Sequence, residues 1–173
     1  MNLKRILNGI ALLLLTIPLS CDDGDFDIAS FEFDDKVNVC GSYTLYRLST
    51  DGQKEALIVT LTSQQIRKDE EPVIPVTVSQ SGLYTVTDRV FNDQVTSDYF
   101  CAVVPPVEPK VTKDWRGVSG LILVENRPVY GEDGETVTAW EHIIVLNDVV
   151  LESGDEKLIF NETYLFGTFN SSP

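Results

Sequence analysis

The sequence predicts an all-β fold: a single antiparallel β-sandwich of about eight to ten strands behind a cleaved N-terminal signal. Three observations predict it. After residue 27, apolar residues recur with a period of two and nowhere with the helical period. Turn dipeptides and Gly-, Asn- or Ser-containing breaks divide the chain into short runs. The length beyond the signal suits one domain with a real core, since a domain near 150 residues hides about 70 % of the surface its unfolded chain exposes.

The expected domain spans 28–169, with a frayed tail at 170–173. Ile28, Phe31 and Phe33 open a first strand over 28–33. A second runs over 43–48 and a third over 56–62, the latter with Leu57, Val59 and Leu61 on one face. Asp51-Gly52 between them supplies the positive φ of a tight turn, so the two pair as a hairpin. The polar stretch 63–71 is too short and charged for a packed helix and reads as a loop. Residues 73–79 alternate again. Pro75 lacks a ladder donor and marks an edge strand or bulge, with Ile74, Val76 and Val78 inward.

Turns at 80–82 and 92–93 bound a strand over 83–91, and the next strand, 99–104, carries Cys101. Pro105, Pro106 and Pro109 stop it and open an extended linker to Gly117. Residues 118–125 form a strand and 128–134 a connecting loop. The longest β run, 136–150, keeps neither face apolar throughout, which predicts a bend or bulge. After a turn at 153–155, strands over 157–161 and 163–169 complete the domain.

The first 27 residues give an address. Lys4 and Arg5 precede a 14-residue apolar run from Ile6 to Leu19, followed by Ser20 and Cys21. As a helix this run spans about 21 Å, short of a hydrocarbon core of about 30 Å. It reads as a secretory signal over residues 1–20, processed before Cys21. The pattern resembles bacterial lipoprotein signals, in which the cysteine becomes the lipidated first residue, although Pro18 stands where the usual lipobox has Leu. The resemblance implies palmitoylated Cys21 and attachment to a membrane through the lipid, each buried methylene contributing about 0.8 kcal/mol. Asp22, Asp23, Asp25 and Asp27 follow around Gly24 and Phe26. Residues 21–27 resemble the acidic export signal of surface-exposed Bacteroidota lipoproteins, which implies an outer-membrane, cell-surface position. On physical grounds alone they are a solvated tether. An EF-hand loop is excluded, because Ile28 and Asp34 occupy the positions that need Gly and Glu.

With Cys21 assigned to lipid, Cys40 and Cys101 remain as a disulfide pair in an oxidising compartment. Closing that loop stabilises the fold by about 4 kcal/mol on the chain-entropy account. Without Lys4 and Arg5, 11 basic and 27 acidic side chains remain, a formal charge of −16. Such a charge repels phosphate backbones, so no nucleic-acid partner is expected. Asp98-Tyr99-Phe100-Cys101, Pro105-Pro106, Pro109-Lys110-Val111 and Phe166-Gly167-Thr168-Phe169 resemble small flavobacterial-type surface lipoproteins of unknown function. That resemblance supports the Cys40–Cys101 pairing and implies no activity.

Chemistry is sparse. His142 is the sole histidine; among Trp140, Ile144 and Leu146 it reads as a hydrogen-bonded core or rim residue. Gly117-Val118-Ser119-Gly120 lacks the spacing of a nucleophile elbow. There is no zinc motif and no phosphate-binding Gly-rich loop, so no catalytic residue, metal or cofactor is assigned. Calcium has weak support from the acidic turns 132–135 and 152–156, whose composition equally suits solvated turns. Trp115, Tyr99 and Tyr130, with Trp140, are the candidate ligand contacts, Trp115 foremost because a Pro-rich linker gives its ring little core to enter. The expected function is a non-catalytic domain that binds or supports an outer-membrane protein complex or another extracellular protein. A glycan-binding module is the alternative, and a hydrolase a more distant one.

Overall fold

The computed structural model describes residues 32–41, 43–70, 73, 75–160 and 163–173. Cys21, Asp22, Asp23 and Asp25 lie outside the described residues, as do residues 28–31 of the expected first strand. The described chain is nearly all β. Its elements are β1 (Asn38–Cys40), β2 (Thr44–Leu48), β3 (Glu55–Thr60), β4 (Val76–Thr77), β5 (Thr85–Phe91), one short helix α1 (Ser97–Cys101), β6 (Val111–Tyr130), β7 (Val137–Ser153), β8 (Glu156–Ile159) and β9 (Thr163–Ser171).

All nine strands belong to one antiparallel sheet, ordered β1-β2-β3-β5-β6-β7-β8, with β4 also on β6 and β9 also on β7. The long hairpin β6–β7 therefore serves two halves. In the first, β5 pairs with the start of β6 and β8 with the end of β7. In the second, β4 pairs with Leu121 and Ile122, and β9 with residues 140–147 of β7. Between the halves the β6–β7 register shifts twice, at Gly117/Ser119 and Ser119/Leu121. Gly120 there has φ +109°, and a Cβ on it would sit 2.6 Å from the Cα of Val149. Only glycine allows that approach, and the bulges bend the ribbon.

The bend folds the second half over the first, giving the sandwich-like layering. Leu45, Leu57, Val59, Val86 and Trp115 of the first half share one core with Ile122, Val124, Ile144, Leu146 and Phe166 of the second. The outer face of the first half carries a smaller cluster: Cys40, Tyr46, Ala56, Ile58, Phe91 and Val95. Helix α1 covers it. Phe100 stacks on Tyr46 with ring centroids 4.0 Å apart, and Tyr99 meets Phe91 edge-on at 4.8 Å. The Cys40–Cys101 disulfide, with Cα atoms 5.0 Å apart, ties α1 to β1.

The hairpin at Asp51-Gly52 forms as expected, joining β2 to β3 with φ +64° at Gly52 and +53° at Gln53. Other expectations are corrected. Residues 99–104 do not form a strand: a strand would send Tyr99 and Phe100 to opposite sides, whereas one helical turn lets both reach the same apolar cluster. The linker ends at residue 110, and β6 then runs unbroken through the expected loop at 128–134 as far as Tyr130. Pro128 is tolerated because β4 reaches only residues 121–122, so β6 is paired there on one side alone. Half of the expected tail is strand: β9 extends to Ser171, and Lys68 Nζ donates to the Pro173 carbonyl at 2.8 Å.

Candidate functional site

The expected ligand contacts do not converge. Trp115 is only 4 % exposed, which corrects its expected position on an open linker. Because β6 begins at Val111, its ring turns into the main core opposite Asp88, with Lys113 Nζ 4.3 Å from its centroid. Tyr99 is half-buried on the other face of the sheet, in the cluster under α1. Tyr130 is half exposed at the far end of β6, and Trp140 is partly buried. No shared stacking platform results from these four rings.

His142 is wholly buried, as a core histidine should be. Its Nδ1 lies 2.7 Å from Asn126 Oδ1 and its Nε2 2.8 Å from Ser171 Oγ. Asn126 is oriented by its own bonds, Nδ2 donating to the Gln65 carbonyl at 3.0 Å and Oδ1 accepting from Arg67 N at 3.3 Å. That amide oxygen only accepts, so His142 carries its proton on Nδ1 and receives the Ser171 hydroxyl on Nε2. Burial lowers its pKa to about 4. The order hydroxyl, imidazole, amide is that of a nucleophile, base and orienter. A base so far depressed and so deeply enclosed is a poor proton acceptor for catalysis at neutral pH. The network ties the 63–67 turn, β6, β7 and β9 together.

A second polar cluster escaped the sequence reading. Asp88 is 0 % exposed on the core face of β5, opposite Leu57 and Trp115, and Glu55 is half-buried diagonally across on β3. Among the described residues, neither oxygen of Asp88 nor Oε1 of Glu55 has a donor in hydrogen-bonding geometry. Two charged carboxylates could not stay there; one proton held by Asp88 and donated to Glu55 resolves the conflict. Burial, and then the charge of Glu55, push Asp88 up to about 9, and burial raises Glu55 as well. The signal lay in the sequence: Val86, Asp88 and Val90 alternate onto one face, placing an acid in an apolar row.

A cleft of about 450 Å³ opens between the segment at residue 35 and β9, lined by Asp35, Arg47, Tyr164, Leu165, Gly167 and Thr168. Arg47 is committed to structure. Its Nε donates to the Asp34 carbonyl at 2.6 Å, Nη2 to Phe33 at 2.9 Å and Nη1 to Phe166 at 2.8 Å. Phe166 is the residue that the β7–β9 register skips, so Arg47 satisfies a carbonyl freed by the bulge. Among the described residues no group of three or more His, Cys, Asp or Glu side chains is placed to hold a metal ion. In the turn at 132–135, Asp133 is instead engaged by Thr136 and the Glu135 amide.

The most conspicuous surface feature is the segment 102–110 between α1 and β6. Val103 is 101 % exposed, Val104 79 % and Val107 86 %. This is no frayed end. At one side the disulfide and the Ala102 N to Asp98 carbonyl bond hold it; at the other, Asn92 N donates to the Lys110 carbonyl at 3.0 Å and Lys110 N donates to Asn92 Oδ1 at 2.8 Å. A reading of its start as strand and its remainder as linker gives no sign of three valines that none of the described residues covers. No protein-family model, curated protein or solved structure matches the chain.

Proposed function

We propose that this protein is a lipid-anchored lipoprotein of the outer membrane, facing the cell exterior, whose β-domain is a non-catalytic module that binds or supports a protein partner. The address is supported by the signal-like residues 1–20, Cys21 and the acids Asp22, Asp23 and Asp25, together with the resemblance to flavobacterial-type surface lipoproteins. Binding is supported by one observation above the others, the exposure of Val103, Val104 and Val107 on a loop pinned at both ends. Apolar surface held out in this way is stabilised when a partner covers it.

The test is purification of the lipidated protein from its own membranes in mild detergent. A protein recovered with it in fixed stoichiometry is the expected result; recovery of the chain alone from intact membranes would count against the reading. Glycan binding loses its principal support with the burial of Trp115. A serine hydrolase is the second reading, favoured by the bonds linking Ser171, His142 and Asn126. An alkyl fluorophosphonate that labels the parent but not Ser171→Ala would put it first.

A further inference from the structure

We propose that the 102–110 loop docks as a preformed plug, and that its partner is a protein with an apolar pocket rimmed by cationic side chains. This rests on the partner-binding reading of the domain and specifies how that binding is made.

The chemistry of the loop selects the partner. Within Val103–Val107 three valine side chains point away from the domain, so the complement is an apolar hollow. Pro105, Pro106 and Pro109 have no amide proton to donate, which rules out a continuous ladder with a partner strand and leaves side-chain burial as the source of affinity. Those prolines and the two anchored ends limit the conformations lost on docking, so less of the binding free energy goes to ordering.

Charge selects the rim. Exposed Asp93 and Asp98 flank the loop base and make no ion pair among the described residues, while Lys110 is engaged by Glu108 at 3.3 Å. The whole chain carries −14. A cationic rim complements this surface; anionic lipid headgroups are repelled by it.

The experiment places a photoreactive benzophenone amino acid at Val104 or Val107 of the full chain in intact cells. Leu83 and Ile159, 66 % and 57 % exposed, serve as control positions. The expected result is an adduct with one protein, several-fold stronger from the loop than from either control and weaker when salt is raised. In the variant with Val103→Ser, Val104→Ser and Val107→Ser together, co-purified partner should fall at least about tenfold while the melting curve stays that of the parent. Protein adducts only at Leu83 or Ile159 would overturn the loop assignment and leave partner binding standing. Lipid adducts from the loop would overturn it in favour of a bilayer. An adduct insensitive to salt would overturn the cationic rim. No adduct at any position would overturn both the plug and the partner-binding reading.

Discussion

Glu55 and Asp88 inside the sheet, and Val103, Val104 and Val107 beyond its edge, are placed against their solvation preferences in opposite senses. Asp88 is cut off from water and Glu55 half so, and a proton held by Asp88 toward Glu55 relieves the conflict without any outside group. The valines have no such internal remedy. Fully burying one is worth roughly 1.5–3 kcal/mol, and among the described residues nothing supplies that cover. The difference separates a structural anomaly from a functional one: the first is neutralised within the molecule, whereas the second stays open until something else meets it.

The largest effect is expected at the disulfide that carries the loop. Cys40→Ser with Cys101→Ser should lower the unfolding free energy by about 4 kcal/mol, given the sequence separation of 61 that the bridge closes. Amide exchange should accelerate first in α1 and the 102–110 segment, which the bridge ties to β1. Equal denaturation midpoints for variant and parent would show that the anchor does not constrain the loop.

A smaller effect sharpens the interior side. Asp88 has a folded pKa near 9 against an ordinary 3.8, so through the interval between them the native state holds a proton that the unfolded chain has released. Stability from this group is greatest below the lower value and declines as pH rises toward the upper one, by about 1.4 kcal/mol per pH unit where one full proton separates the states. Asp88→Asn keeps a donor for Glu55 and removes the titration. It should flatten the decline and leave the variant more stable than the parent at pH 8, measured by urea unfolding across pH. Parallel curves for parent and variant would disprove the shared proton.

Much of the architecture was legible because period-two alternation reports directly on a sheet with one face in the core. Leu57 and Val59 announced β3, Gly52 its hairpin, and the buried, doubly bonded His142 agrees with its place among Trp140, Ile144 and Leu146. What stayed hidden depends on contacts far apart in sequence. Trp115 follows three prolines, which suggested open linker, yet pairing with β5 from residue 111 onward turns it inward. Gly120 falls inside the expected strand 118–125, and its part in the bend shows only when Val149 is packed against it. Tyr99 and Phe100 fit a strand by propensity, and only the apolar cluster around Tyr46 selects a helical turn. Val103 and Val104 are hidden for the same reason, since a β-branched pair signals a core strand until its cover proves absent.

The 102–110 loop, on this reading, contributes recognition and no folding energy. The most direct test is equilibrium urea unfolding of the variant with Val103→Ser, Val104→Ser and Val107→Ser together. Side chains this exposed should leave the unfolding free energy within about 0.5 kcal/mol of the parent. A loss of several kcal/mol would mean that these valines pack within the domain, and would contradict the account.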